Sequence, residues 1–368
     1  MIAPPCHCDI FCRVVDNFGD VGVAWRLSRQ LVEEHGVAAR LVVDDLAALR
    51  KIVPAVTADA SQQIVDGVAI TRWQGEIEPF VPAELVIEMF GCDLPSAYLD
   101  HMAKQSPRPV WLNIEYLSAE AWIDTHHLQP SPHSTLPLTK YFFFPGFSAA
   151  SGGLIREQSI RMVETRGNAL AQPPLRVLLF AYTDAPAEAL LAAIQRETIP
   201  TRVTAMEGAL TDKLKHWCGV SATRSLESAT ALEFVKSHFV PQQAFDALLW
   251  QHDVLFVRGE DSFVRAQWAE KPFIWQIYPQ ADGAHWAKLD AFLDRYCDGL
   301  GASAACALRA LWHAWNASDA DAIATAWNAF SAELPAIKTH AWHWAQHLRN
   351  QPDLASNALS FFQKTYKI

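Results

Sequence analysis

Ile10-Phe11-Cys12-Arg13-Val14-Val15-Asp16-Asn17-Phe18-Gly19-Asp20 runs from a stretch of mostly apolar residues into a polar turn. An apolar stripe through Val23, Leu27 and Leu31 follows it. A short apolar run bounded by a turn predicts a buried strand, and apolar residues four apart predict a helix. Leu41-Val42-Val43, Leu85-Val86-Ile87 and Val110-Trp111-Leu112 repeat the short apolar run, separated by helix-compatible or turn-rich sequence. Strands that alternate with helices predict a parallel sheet with its helices packed on the faces.

Working outward, Gln129 to Thr139 is rich in Pro, Ser and Thr and reads as a surface loop before the aromatic run Tyr141-Phe142-Phe143-Phe144-Pro145-Gly146-Phe147. Either segment is a candidate docking element, and buried packing is the alternative for the aromatics. Arg166 to Pro174 reads as a linker, after which Leu175-Arg176-Val177-Leu178-Leu179-Phe180 starts a second set of strands and helices. Within it, Val254-Leu255-Phe256-Val257 leads through Arg258-Gly259-Glu260-Asp261 to a helix from Ser262 and a strand at Phe273-Ile274-Trp275. The expected organisation is an N-terminal domain over residues 1–165 and a C-terminal domain over 174–345. A last helix, 346–368, is expected to pack back on the first domain.

Two domains suit a chain of 368 residues, and 51% hydrophobic residues against 19% charged supply the apolar surface for two cores. Thirty Lys and Arg against 40 Asp and Glu leave a formal charge of −10, which repels a phosphate backbone and argues against nucleic acid as a partner. Met1-Ile2-Ala3-Pro4-Pro5 shows no basic n-region, and no segment is long and uncharged enough to span a bilayer. Seven cysteines at 6, 8, 12, 92, 218, 297 and 306 form no disulfide framework, so a cytoplasmic location is expected. Cys6-His7-Cys8 with Cys12 suggests half a zinc site, but no second pair stands at finger-like spacing.

Ligands of open α/β sheets bind at the carboxyl ends of strands, and two strand-end loops here are unusually polar. The first carries Asp16 and Asp20 around Gly19, with Asp20 placed to cap the following helix; a cap and a turn is the plain alternative. The second, Arg258-Gly259-Glu260-Asp261-Ser262, joins a fixed cation, a glycine that permits close approach, and a helix start. That is a phosphate site in outline, with Ser262 as a further hydroxyl donor; an N-cap with a surface ion pair is the alternative.

The stretch Phe239-Val240-Pro241-Gln242-Gln243 through the Arg258 loop, Glu270-Lys271-Pro272-Phe273 and Gln280 resembles the nucleotide-sugar half of GT-B glycosyltransferases. The string Asp9 to Leu27 resembles the opening of the protein-arginine rhamnosyltransferases that modify elongation factor P, and the likeness extends through Phe180-Ala181-Tyr182 and the Pro241-Gln242 turn with Phe245. The resemblance implies an α/β GT-B fold, two Rossmann-like domains facing each other across a cleft. It also implies inverting transfer of L-rhamnose from dTDP-β-L-rhamnose to one arginine of elongation factor P. By the same resemblance Asp16, Asp20 and Glu260 are the catalytic carboxylates. Phe180, Tyr182, Phe239 and Phe245 surround the thymine and deoxyribose, and Arg258, Asp261 and Ser262 hold the ribose and diphosphate. Asn17, Phe18, Gly19, Gln242 and Gly259 complete the donor-binding set.

Arginine is a poor nucleophile, protonated and delocalised with a pKa above about 12. The physical reading is that Asp16 and Asp20 orient the guanidinium and Asp20 takes the proton as the new bond forms. No cofactor or metal is expected: Asp319-Ala320-Asp321, the one Asp-x-Asp, falls in helical sequence, and Arg258 with a helix N-terminus can neutralise the diphosphate. His7, His126, His127 and His133 receive surface or capping roles. Competing readings are another GT-B transferase or a nucleotide-sugar epimerase, and a non-catalytic nucleotide-sugar-binding scaffold.

Overall fold

The computed structural model describes residues 7–15, 18–75, 80–158, 160, 174–224 and 232–366. The chain forms two compact units, Met1–Ile160 with Arg349–Ile368, and Arg161–Leu348.

The first unit is built on eight strands: β1 (His7–Cys12), β2 (Ala38–Val43), β3 (Gln62–Val65), β4 (Val68–Arg72), β5 (Leu85–Met89), β6 (Val110–Ile114), β7 (Pro130–Pro132) and β8 (Thr139–Phe143). Their order in the sheet is β3-β4-β2-β1-β5-β6-β8-β7, parallel except for the hairpins β3–β4 and β7–β8 at the two edges. The central strands are apolar on both faces because helices cover both, which is why they read as unbroken runs. The β3–β4 hairpin turns through Asp66 and Gly67, both at positive φ (47° and 78°), the backbone of a two-residue hairpin. Residues 129–139, expected as a surface loop, instead supply β7. Its two prolines lack donors and are tolerated because β7 is the edge strand. The aromatic run is likewise structural at its start: it forms β8, where Phe143 is buried and Tyr141 packs edge-on against Phe361 at 4.9 Å.

The helices of this unit are α1 (Gly19–His35), α2 (Leu46–Ile52), α3 (Ser96–Lys104) and α4 (Trp122–His126). Buried Arg26 of α1 meets buried Glu157 at 3.3 Å, and Gln30 donates to Arg156 O and to Asp353 Oδ1 at 2.9 and 3.0 Å. These bonds fix the helix that carries Asp20. At the opposite, amino end of β1, buried Asp9 takes two 2.8 Å bonds from Arg40 and one from Tyr98 Oη, a fully occupied structural carboxylate.

In the second unit β9 (Leu175–Leu179), β10 (Thr201–Met206), β11 (Leu232–Ser237), β12 (Val254–Arg258) and β13 (Phe273–Gln276) form an all-parallel sheet of order β11-β10-β9-β12-β13. Its helices are α5 (Ala187–Gln195), α6 (Ala209–Arg224), α7 (Gln242–Gln251), α8 (Glu260–Trp268), α9 (Ala284–Tyr296), α10 (Ala302–Asn316), α11 (Ala320–Ala332) and α12 (Leu334–Arg349). The final helix, α13 (Leu354–Thr365), returns to the first unit, where Leu354, Ala358 and Phe362 enter the core that also holds Val21, Leu27 and Leu31 of α1. Asp319 is the N-cap of α11, accepting from the backbone N–H of Asp321 and Ala322, so the Asp-x-Asp is a helix start.

Candidate active site

Each sheet reverses its winding at one point, and the polar loops stand there. In the second unit β9 lies between β10 and β12, so the carboxyl ends of β9 and β12 flank the switch point where doubly wound sheets bind ligands. Phe180 continues β9, its N–H donating to Phe256 O of β12 at 2.9 Å, and Arg258 ends β12. The guanidinium of Arg258 consequently sits over two rings, with Cζ 4.7 Å from the centre of Phe180 and 4.6 Å from that of Tyr182. Phe245 of α7 meets Phe180 edge-on at 5.3 Å. Phe180 is half-buried, not sealed in the core as an apolar strand end would suggest.

Gly259 follows at φ 68° with ψ −175°, a conformation closed to other residues without strain, and it starts α8 directly after the strand. Trp275 Nε1 donates to Gly259 O at 2.9 Å, and Trp275 stacks on buried Phe263 at 4.0 Å, so the turn rests on packed core. Ser262 Oγ donates to Arg258 O; its hydroxyl hydrogen braces the loop in this conformation. Asp261 Oδ2 accepts from Gln242 Nε2 at 3.0 Å, and buried Arg265 holds Asp246 at 2.6 and 3.1 Å, so α7 and α8 are joined by two polar ties. Glu260 is the first residue of α8 and half-buried. The helix begins one turn-half earlier than the serine expected to start it, which puts two carboxylates in its own first turn.

Sequence reasoning missed the loop after β10. A cavity of about 170 Å³ opens at the carboxyl ends of β9 and β10, lined by Phe180, Glu207, Gly208, Thr211 and Arg258 among others. Glu207 accepts the Phe239 N–H at 3.0 Å and meets Lys236 at 3.2 Å, which places exposed Phe239 beside this loop; those bonds hold its carboxyl below the usual range. Tyr278 and Gln276 were missed as well. Tyr278 meets Tyr182 edge-on at 5.9 Å, and Gln276 Oε1 accepts the Tyr182 N–H at 2.7 Å. No local pattern marks them, because each is brought there by β13.

In the first unit the switch point lies between β1 and β5. Asp16 and Asn17 lie outside the described residues. Asp20 stands in the first turn of α1, 2% exposed, and its Oδ2 accepts the Val15 N–H at 2.8 Å. The N-cap is Phe18 and makes no side-chain cap bond, so Asp20 closes the loop instead of capping the helix as expected. Gly19 opens α1, and Phe18 is half-buried with Lys51 Nζ 5.6 Å from its ring centre. Burial first, and the charge of Asp20 second, push the Cys12 thiol well above its ordinary value. Cys8 and Cys12 are buried on one face of β1, while exposed His7 points the other way toward Glu84; Cys6 lies outside the described residues. His126, His127 and His133 bond nearby backbone: Trp122 O, Phe144 N–H and Leu136 N–H. Burial holds His127 down to about 4. Among the described residues no helix is long and apolar enough to cross a membrane.

Residues 8–363 match the family described as Elongation-Factor P (EF-P) rhamnosyltransferase EarP. A Pseudomonas putida protein-arginine rhamnosyltransferase is 42% identical over 97% of this chain and 98% of its own length. One from Neisseria meningitidis is 36% identical over the whole of both chains. A solved structure concerned with EarP-mediated arginine glycosylation of translation elongation factor EF-P matches with a TM-score of 0.63 at 32% identity, covering 98% of this chain and 99% of that one. The calicheamicin glycosyltransferase CalG4, at 11% identity and a TM-score of 0.52 over 98% and 99% of the two chains, shares the fold alone. With two Rossmann-like units, a cation at one switch point and a carboxylate at the other, the chain belongs to the EarP family of protein-arginine rhamnosyltransferases, enzymes of the GT-B glycosyltransferase class.

Proposed function

We propose that this enzyme transfers L-rhamnose from dTDP-β-L-rhamnose to one arginine side chain of elongation factor P, with inversion at the anomeric carbon. The reading is supported by membership of the family, and the observation that carries it is Arg258 held over Phe180 and Tyr182 at a sheet switch point. There a fixed cation meets the diphosphate while aromatic rings, with Phe239 and Phe245, face the base and sugar. Gln242, Gly259, Asp261 and Ser262 shape this donor site, and Asn17, Phe18 and Gly19 are further donor-binding residues.

The chemistry must overcome a protonated, delocalised nucleophile. Asp16 and Asp20 bind the guanidinium and turn one nitrogen toward the anomeric carbon. As the carbon–nitrogen bond forms and the bond to the diphosphate oxygen breaks, Asp20 accepts the proton, so no free neutral arginine is needed. Arg258 takes up the charge that develops on dTDP. Glu260, at the head of α8, acts on the donor side, on the sugar's positive charge or on Arg258.

Incubating the protein with dTDP-β-L-rhamnose and elongation factor P, then measuring the factor by intact and peptide mass spectrometry, tests this. The expected product carries one deoxyhexose on a single arginine. An unmodified factor with intact donor would overturn the reading.

A further inference from the structure

The loop that carries Tyr182 leaves β9 and is caught by β13, two strands that are not neighbours. At its near end the Phe180 N–H donates to Phe256 O of β12 at 2.9 Å. At its far end stands Gln276, the last residue of β13. Gln276 Oε1 accepts the Tyr182 N–H at 2.7 Å, and Nε2 donates to Asp184 Oδ1 at 3.1 Å. A backbone N–H only donates and a carboxylate only accepts, so these two bonds fix which way round the amide lies.

Between β9 and β13 lies β12, which ends on Arg258, and Arg258 is the ladder partner of Gln276. Ladder partners stand on the same face of a sheet, so the amide and the guanidinium are side by side. A loop held at β9 and at β13 therefore spans the strand end from which Arg258 rises, and the Tyr182 ring comes to lie 4.6 Å from its Cζ. Gln276 is 3% exposed, and its backbone is fixed from the helix side. Asn316, the last residue of α10, accepts the Ile277 N–H at 3.0 Å and donates to Trp275 O at 2.8 Å, gripping the residues on both sides of Gln276. A turn of the amide that broke either of its own bonds would leave a buried polar group unpaired, so the arrangement is held in place.

We infer that Gln276 is a positioning residue of the donor site, acting through Tyr182. Its amide sets the Tyr182 ring against the Arg258 guanidinium before the donor arrives, which removes an ordering cost from donor binding. That the group is an amide follows from its neighbours. A carboxylate at the same place would still accept the Tyr182 N–H, but it would have no donor for Asp184 and would set a negative charge beside Arg258. The cation would then be partly neutralised by the protein instead of by the diphosphate. Gln276, being neutral, organises the site and leaves its charge for the ligand. The assignment rests on the proposed donor, and it adds a residue that neither polar turn contains.

The test is calorimetric binding of dTDP, with steady-state transfer at varied dTDP-β-L-rhamnose, for Gln276→Ala, Gln276→Glu, Tyr182→Ala and the double variant Gln276→Ala with Tyr182→Ala. Gln276→Ala should weaken dTDP binding and raise the donor KM roughly tenfold, the scale of a lost hydrogen bond to a charged group. Its kcat and its KM for elongation factor P should stay as they were. Gln276→Glu should be impaired at least as much, although it keeps the size of the side chain and an acceptor for Tyr182. In the double variant the second change should add almost nothing, because a residue that acts through Tyr182 has no further effect once the ring is gone; a merely structural loss would multiply with the first. Multiplying effects would overturn the assignment, as would wild-type dTDP affinity in Gln276→Ala or Gln276→Glu. Should Gln276→Ala unfold, exposed Asp184 decides. Asp184→Ala should weaken dTDP binding roughly threefold, the scale of one hydrogen bond, and Asp184→Asn, which keeps an acceptor for Nε2, should restore it. Equal affinity in wild type, Asp184→Ala and Asp184→Asn would overturn the assignment. A wild type that binds no dTDP counts against the proposed function, and against this assignment with it.

Discussion

The turn after β1 and the turn after β12 each follow a strand that flanks the switch point of its sheet, one on either side of that point, yet they present opposite charges. Each follows a strand at a switch point, and each opens a helix whose N-cap makes no side-chain bond. In the first, the helix's free N–H groups and partial positive charge favour an anion, and Asp20 is that anion, buried and bonded to the Val15 N–H. In the second, the first turn already contains Glu260 and Asp261, so the helix end is compensated from within. The positive charge at that turn comes from Arg258 on its aromatic bed. Under the proposed function one backbone device serves a cationic substrate and an anionic one, and the side chains decide which. A helix N-terminus at a strand end is not by itself a phosphate site.

The comparison breaks most visibly at Asp20. Asp20→Asn keeps the shape and an acceptor for Val15 N–H but removes the charge and the base. Turnover should fall by roughly 100- to 10,000-fold, the usual contribution of a positioned general base. dTDP binding, which the proposed function rests chiefly on Arg258 and its aromatic rings, should stay as it was. A variant with normal rhamnose transfer would end the assignment of Asp20 as the proton acceptor.

Much of this contrast was legible in the sequence. β1, β2, β5, β6 and β12 are buried on both faces, so they stand out as apolar runs, and the two polar turns follow directly from β1 and β12. The Asp66-Gly67 pair is itself a hairpin signal for β3–β4. β7 was not legible, because prolines at 130 and 132 argue against a strand unless the strand is known to be an edge. The Glu207 loop and the hold on Tyr182 were invisible for a different reason. Their form comes from bonds to residues far along the chain: Phe239 for the one, Gln276 for the other. That Asp20 closes its loop instead of capping its helix also depends on tertiary geometry, since an Asp two residues into a helix reads as a cap or near-cap either way.

The second wall of the comparison is tested by Arg258. Arg258→Ala should raise the KM for dTDP-rhamnose by roughly 10- to 100-fold, the loss of a charged hydrogen-bonding partner for the diphosphate. Arg258→Lys separates charge from shape: it keeps the cation but loses the planar contact with Phe180 and Tyr182, so a defect of roughly threefold to tenfold is expected. Acceptor binding should not respond to either change. If the lysine variant equals wild type, the aromatic bed is packing only, and the two turns differ merely in the sign of a point charge.

The smallest expected effect concerns metal. A transferase that uses a divalent ion gathers carboxylates around the diphosphate, and the charge it supplies is lost to a chelator. Two of the candidate carboxylate groups are otherwise engaged: Asp261 accepts from Gln242, and the Asp319-Ala320-Asp321 pair starts a helix. Under the proposed function Arg258, needing no ion to be cationic at neutral pH, supplies the compensation directly. Transfer measured with excess EDTA should therefore match transfer with added magnesium, both for the wild type and for Arg258→Lys. Inhibition by EDTA that magnesium restores would show that the charge offered at β12 is not Arg258's alone, and the contrast between the two turns would narrow to the aromatic rings.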